Sequence, residues 1–276
     1  MDIFNQEILE VAVEIVKKAG ELMLKGFYAV KKVDTKTASY DVVTEYDKKT
    51  ENLIISELKK AFPSHRFIGE ESTEGPNEVE ITNEPTWIID PIDGTCNYIH
   101  GVSESAISVG FAVNKEVTVG VVYNPILNLL FTACKGMGAF QNGKKIHVST
   151  CSEHSKSLVA TEISFAGMTQ YEHQVIERLR GLVKGAHGAR AIGCAATTLC
   201  YVANGSIDAY VQDGLYCWDV AAGSIIVKEA GGIVLNSNGK PFQLTEKKIL
   251  VASTQPLADQ LIAIIKEADE KASHLL

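Results

Sequence analysis

The 276-residue chain has no CxxC pair and no dense cysteine framework; its six cysteines (Cys96, Cys134, Cys151, Cys194, Cys200, Cys217) are scattered. In a chain this long, such cysteines are expected to be reduced, mostly buried thiols of an intracellular protein. No apolar run approaches the length of a bilayer span, which argues against a membrane partner. The first twenty residues carry Asp2, Glu7, Glu10 and Glu14, which is wrong for a signal or transit peptide, so the expected location is cytoplasmic. There is no excess of positive charge: 26 Lys and Arg stand against 34 Asp and Glu, a net charge of −8. A broad nucleic-acid footprint is therefore not expected. An anionic substrate would need local positive charge, from a bound cation or a helix N-terminus. No GxxxxGK[ST] loop is present, which removes P-loop kinases and nucleotide hydrolases. There is no internal repeat and no Pro/Ser-rich linker. What remains is an ordinary globular composition, 46% apolar and 22% charged, incompatible with intrinsic disorder.

Periodicity predicts a long amphipathic helix over 5–27, with Ile8, Val11, Ala12, Ile15, Val16, Ala19, Leu22 and Met23 on one face. A second helix is predicted from about Thr44 to Lys60, stopped by Pro63. Residues 72–85 are polar and turn-rich, a loop. Thr86–Asp90 is a short buried strand expected to break at Pro91. Ala106–Asn114, Val117–Asn124 and Leu129–Ala133 predict an antiparallel meander. Asn142-Gly143 marks a hairpin between Ala139–Gln141 and Lys145–Val148. Strands at Leu158–Ile163, Ile207–Gln212, Ile233–Leu235 and Ile249–Ala252 then alternate with helices around Val175–Val183, Ala195–Asn204, Val220–Ala230 and Pro256–Glu270. The whole chain, 1–276, is expected to be one unit with two lobes, about 1–148 and 149–276.

The densest chemical signal is Asp90-Pro91-Ile92-Asp93-Gly94-Thr95. A buried strand delivers Asp90 to its end, and Asp93 follows closely enough for both carboxylates to converge. Gly94 permits close backbone approach, and Thr95 can open a helical turn whose free amides suit a phosphate. Two carboxylates beside an anion site point to hard, oxygen-ligated cations between them, foremost Mg²⁺. The alternative is that Asp90 and Asp93 merely cap a turn. Glu70-Glu71 is by itself a solvated pair, Asp219 by itself a helix N-cap, and Asp47 by itself a first-turn acid favoured by the helix dipole.

Together, Gly69-Glu70-Glu71-Ser72, Trp87–Thr95, Trp218-Asp219-Val220-Ala221 and Glu229-Ala230-Gly231-Gly232 resemble the signatures of the inositol monophosphatase family, in its order and spacing. The likeness extends to Pro63-Ser64-His65 and Val121-Val122-Tyr123 and covers nearly the whole chain. It is nearest to the animal members. The resemblance implies an α+β fold, the layered αβαβα sandwich of the inositol monophosphatase/fructose bisphosphatase superfamily. It also implies a homodimer and a Mg²⁺-dependent, Li⁺-sensitive phosphomonoesterase. Carried over by residue, it implies one Mg²⁺ on Glu70, Asp90 and the Ile92 carbonyl, and a second on Asp90, Asp93 and Asp219. A weaker third would be reached from Glu70 through water. It assigns the phosphate to the backbone of Gly94 and Thr95, with Asp93 and Asp219 also against the substrate. Asp47 and Thr95 match the pair that orients the attacking water. Gly193, Cys194 and Ala195 match the inositol pocket.

Two residues depart from that pattern. Cys96 stands where close relatives carry Thr; a small helix residue is the expected role, since water activated by a metal needs no thiol nucleophile. Gln212 stands where the animal enzymes have a Glu that hydrogen-bonds inositol hydroxyls. An amide still accepts through its carbonyl but lacks the charge, and Asp213 is turned away by strand alternation. The expected reaction is hydrolysis of myo-inositol monophosphate. Two readings compete with it. One is a phosphatase of the same superfamily acting on another sugar phosphate or a nucleoside 3′,5′-bisphosphate. The other is a catalytically silent metal-binding protein, which would be expected to have lost a ligand or the water-activating pair.

Overall fold

The computed structural model describes residues 3–35, 42–73, 79–168 and 171–275. In chain order the N-terminal half contains α1 (Ile3–Phe27), β1 (Val33–Thr35), β2 (Val42–Thr44), α2 (Glu45–Ala61), β3 (Arg66–Gly69), β4 (Thr86–Asp93) and α3 (Thr95–His100). The meander follows as β5 (Ala106–Val113), β6 (Glu116–Asn124), β7 (Leu129–Cys134), β8 (Gly138–Gln141) and β9 (Lys144–Ile146). The C-terminal half contains β10 (Leu158–Ala160), α4 (Glu172–Val183), β11 (Gly188–Arg190), α5 (Ala195–Ala203), β12 (Ala209–Asp213), α6 (Cys217–Glu229), β13 (Ile233–Leu235), β14 (Lys248–Ala252) and α7 (Gln255–Ser273).

β3 to β9 form a seven-stranded sheet in sequential order, antiparallel except for the parallel β3–β4 edge. One face is covered by α1 and α2: Ile8, Val16, Met23, Ile54 and Leu58 bury against Trp87, Ile89, Phe111 and Val121. The other face carries α5 and α6, whose Leu199, Val202, Ala222 and Ile226 also meet Tyr210, Ile249 and Val251 of the second sheet. That five-stranded sheet runs β11-β10-β12-β14-β13. α4 and α7 close its far side through Leu182, Leu257, Leu261 and Ile265. The order is therefore helix, sheet, helix, sheet, helix, the expected αβαβα sandwich. The outer helices α1, α2, α4 and α7 each turn one apolar stripe to a sheet, whereas α5 and α6, between the two sheets, are buried on almost every side.

The structure corrects several sequence expectations. β4 does not break at Pro91 but runs on to Asp93. The register with β5 passes from Asp90↔Ser108 to Asp93↔Ala106, three residues against two, so Pro91 lies in a bulge where a missing N–H is tolerated. α6 begins earlier than predicted, with Tyr216 as its N-cap and Asp219 at the third helical position rather than the cap. The strand predicted over Leu158–Ile163 ends at Ala160, and β12 occupies 209–213 rather than 207–212. β3 was not predicted; it is only four residues long and earns its place by pairing with β4. Residues 79–85 of the predicted loop contain no helix or strand, and residues 74–78 lie outside the described residues. The Asn142-Gly143 hairpin forms, both residues with positive φ (48° and 76°), as a two-residue turn of that hand requires.

Candidate active site

Three separate elements deliver acids to one point. β3 ends at Gly69, and Glu70 follows with its N–H on the Ile89 carbonyl at 3.1 Å, which holds it beside β4. The β4 bulge turns Asp90 and Asp93 to the same side, and the Ile92 N–H donates to Asp90 Oδ1 at 3.0 Å. Asp219 comes from the first turn of α6, where its Oδ2 accepts the Tyr216 N–H at 2.6 Å. α6 itself is tied to the sheet by the Ser108 hydroxyl donating to the Trp218 carbonyl at 3.1 Å. Each of Asp90, Asp93 and Asp219 offers a carboxylate oxygen, and these three atoms lie within 4.8 Å of one another.

The pair expected to handle water also meets. Thr44 caps α2, and Asp47 reaches back to accept its N–H at 2.8 Å and its hydroxyl at 2.5 Å. This capping box fixes the carboxylate, leaving Oδ1 3.3 Å from the Thr95 hydroxyl, which also donates to the Ile92 carbonyl at 2.9 Å. Gly94 joins β4 to α3 with φ of +79°. A Cβ there would approach the carbonyl oxygens of Glu104 and Gly193 to 2.9 Å, so only glycine fits. Cys96 is exposed on α3.

Burial sets the electrostatics. It pushes Asp93 up to about 7, with Glu70 and Glu162 adding repulsion and the Ala196 N–H and Cys194 thiol opposing it. Burial, with repulsion from neighbouring acids, holds Asp90 and Asp219 well above the ordinary carboxylate range. Burial likewise raises Asp47 to about 6, against the Thr44 hydrogen bonds. A cluster of hard oxygen donors crowded together at low dielectric fits divalent cations of the Mg²⁺ type, which take carboxylate and carbonyl oxygen. Asp90, Asp93 and Asp219 would hold one such ion, and Glu70 would share Asp90 in a second.

This arrangement has a consequence for stability. A carboxyl whose folded pKa is raised binds its proton more tightly when folded. Its stabilising contribution is complete below the ordinary value near 4. It is lost as pH climbs through the folded value, about 7 for Asp93. Metal-free protein is therefore expected to have a lower Tm at pH 8 than at pH 5.5. Mg²⁺ is expected to raise Tm more at pH 8. Melting curves at both pH values, with and without Mg²⁺, check this; a metal-free Tm that rises with pH would contradict the assignment.

The expected pocket segment lies against the acids. Asp93 Oδ2 accepts the Ala196 N–H, with the Cys194 thiol 3.2 Å away. Gly193, at φ +77°, stands beside Asn97, whose amide donates at 2.8 Å to the carbonyls of Glu104 and Ile192. Gln212 is buried, and its Oε1 accepts the Glu162 N–H at 2.9 Å. Asp213 points elsewhere, as alternation requires, bonded to Arg178 at 2.9 Å and to the Ser237 hydroxyl at 2.6 Å. Sequence reasoning missed two residues. Glu51, buried on α2, accepts the Glu71 N–H at 2.8 Å and so braces the Glu70 turn. Glu162 accepts the N–H groups of Ile192 and Gly193 at 3.1 and 2.9 Å. Neither stands in a motif; Glu162 follows the apolar run Leu158–Ala160, while Glu51, between Thr50 and Asn52, gave no local signal.

An αβαβα sandwich with clustered carboxylates between its two sheets defines a metal-dependent phosphatase. The chain matches the inositol monophosphatase family over residues 5–270, and it belongs to that family. It is 45% identical to inositol monophosphatase 3 of Solanum lycopersicum, over 95% of this chain and 97% of that protein. Identity is 44% to inositol monophosphatase 2 of Mus musculus (91% and 87% covered) and 41% to inositol monophosphatase 1 of Homo sapiens (93% of each). Among solved structures, the IMPase of Thermotoga maritima superposes with a TM-score of 0.87 at 32% identity, covering 96% of this chain and 99% of that one. The inositol monophosphatase of Anabaena gives 0.82 at 32% identity, with 95% and 96% covered. The protein is a phosphatase, and no helix among the described residues is long and apolar enough to cross a membrane.

Proposed function

We propose that the protein hydrolyses myo-inositol monophosphate to inositol and inorganic phosphate, using Mg²⁺ held by Glu70, Asp90, Asp93, Asp219 and the Ile92 carbonyl. The observation that carries this is the meeting of the Asp90–Asp93–Asp219 cluster with the Asp47–Thr95 pair, from four separate elements. When bound, divalent cations acidify the attacking water, neutralise the phosphate and stabilise the departing alkoxide. The chain's own groups do the rest. The Thr95 hydroxyl, set by Asp47 and the Ile92 carbonyl, orients the water. Asp47, raised to about 6, is ionised at neutral pH yet basic enough to receive the proton through Thr95. The amides of Gly94 and Thr95 face developing charge on the phosphoryl oxygens. One P–O bond forms from water as the P–O bond to the alcohol breaks, and the alcohol oxygen takes up a proton. No side chain bonds covalently to phosphorus, so Cys96 is a bystander.

Gly193, Cys194 and Ala195 line the alcohol side, with Gln212 behind them. Six cysteines without a disulfide are consistent with a cytoplasmic enzyme, and the resemblance supports a homodimer. The experiment is phosphate release from a panel: inositol 1-phosphate, glycerol 2-phosphate, fructose 1,6-bisphosphate and a nucleoside 3′,5′-bisphosphate, each with and without Mg²⁺. Preference for inositol 1-phosphate supports the reading; preference for a bisphosphate replaces it with the other branch of the superfamily. Li⁺ is expected to inhibit uncompetitively, since a small hard cation suits the same three-carboxylate cluster once the alcohol has left. Rates at equal Na⁺ and K⁺ are the controls, and insensitivity to Li⁺ would separate this site from the inositol branch.

A further inference from the structure

We infer that Glu162 and Asn97 position the metal ligand Asp93 through the turn at 192–194, and so set how tightly the site holds its cations. This rests on the reading under Proposed function, in which Asp93 is a ligand. The contacts cross from one sheet to the other. Glu162 lies just past β10, and its Oε1 accepts the N–H groups of Ile192 and Gly193 at 3.1 and 2.9 Å. Asn97, on α3, grips the same turn from another side: its amide donates to the Ile192 carbonyl at 2.8 Å and to the Glu104 carbonyl at 2.8 Å. Ile192 is thereby held at both its N–H and its C=O.

The turn leads straight into α5. Cys194 is the N-cap of that helix, and its side chain makes no capping bond. The acceptor for the first turn comes instead from β4: Asp93 Oδ2 takes the Ala196 N–H and lies 3.2 Å from the Cys194 thiol. Two donors on one oxygen stop the carboxylate from rotating, and the helix N-terminus favours its charge. Among the described residues nothing donates to Asp93 Oδ1, which leaves that oxygen to a cation. The place of Oδ1 therefore follows the first turn of α5, and that turn follows residues 192–194. The fit is close: Gly193 has φ of +77°, and a Cβ there would come within 2.8 Å of the Asn97 amide nitrogen. Glu162 is buried, and among the described residues its side chain has no hydrogen-bond donors besides these two N–H groups. Removing it leaves both N–H groups without an acceptor, so the turn relaxes. Groups that orient a ligating carboxylate are commonly worth about tenfold or more in metal affinity.

Glu162→Leu removes the acceptor at similar size, whereas Glu162→Gln keeps it through the amide oxygen. Asn97→Ala frees the turn from its other side. Two quantities are measured in each protein. One is the Mg²⁺ concentration for half-maximal hydrolysis of glycerol 2-phosphate. The other, without substrate, is the Mg²⁺ concentration that gives half of the full rise in Tm. Glu162→Leu and Asn97→Ala should each raise both about tenfold, and Glu162→Gln by no more than about twofold. A lower metal-free Tm with an unchanged Mg²⁺ requirement would overturn the proposal, since Glu162 would then serve the fold alone. A change confined to KM for inositol 1-phosphate overturns it too. Equal losses in Glu162→Gln and Glu162→Leu would make the charge responsible rather than the hydrogen bonds, and count against it in the same way. If Glu162→Leu shows no cooperative melting, Asn97→Ala decides by the same two measurements. Wild-type hydrolysis that needs no divalent cation overturns the metal reading itself, and this is seen before any variant is compared.

Discussion

Chelation with EDTA is expected to abolish phosphate release, and added Mg²⁺ to restore it. Asp90, Asp93 and Asp219 place carboxylate oxygens within 4.8 Å of one another, and Glu70 adds further repulsion to Asp90, Asp93 and Asp219. A phosphate monoester carries negative charge of its own, so it meets a repulsive field unless cations intervene. Among the described residues, no arginine or lysine is paired with Asp90, Asp93 or Asp219, and the buried Arg178 is paired with Asp213 and Asp269. The expected fall is at least about a hundredfold, the scale on which removing charge stabilisation from a buried site slows reactions. Phosphate release assayed after chelation and back-titration with Mg²⁺ measures it. Hydrolysis that persists undiminished in chelator would end the metal-dependent reading and leave the carboxylates without a catalytic purpose.

Asp90→Asn is expected to lower kcat on the order of a thousandfold while making the metal-free protein more heat-stable at pH 8. Two effects of one change move in opposite directions. Asp90 would be shared between cations, so an amide removes a ligand from both. In the absence of cations, the same carboxylate is a buried charge pressed by Glu70, Asp93 and Asp219. The amide has nearly the same volume and its oxygen can keep accepting the Ile92 N–H, so the β4 bulge should survive. The stabilisation by Mg²⁺ should shrink in the variant. Kinetics together with melting curves, with and without Mg²⁺, check both halves. A fall in metal-free Tm accompanying the loss of activity would mean that Asp90 serves the bulge rather than an ion. That outcome would revive the turn-capping alternative for the hexapeptide.

Much of this protein was legible because its signals are local. Helical periodicity in α1 and the apolar runs of β5 to β7 depend on neighbours a few residues away, and the structure follows them closely. Asn142-Gly143 needed only its own backbone preference to mark the hairpin. Where the prediction slipped, a distant partner outweighed the local preference. Proline normally ends a strand, yet β4 continues past Pro91 because β5 pairs with it on both sides of the bulge. β3 is too short to declare itself and exists through its parallel contact with β4. Asp219 has the look of an N-cap, but Tyr216 takes that position, and the acid is turned toward Asp90 and Asp93 instead.

The sequence by itself determined the alternation of elements, the two apolar faces that drive the layers together, and the acids of Asp90–Asp93, Glu70 and Asp219, whose order and spacing resemble one family's signatures. The tertiary structure alone decided which of the chain's 34 acids share a point in space. It put Asp47 within 3.3 Å of the Thr95 hydroxyl across 48 residues, set Glu51 behind the Glu70 turn, and turned Gln212 inward to hold Glu162. The physical reason is the range of the forces involved. Periodicity and turn chemistry act over a few residues and leave a pattern in the sequence. Desolvation, carboxylate repulsion and hydrogen bonding between elements act through space, and they are set only when the layers close.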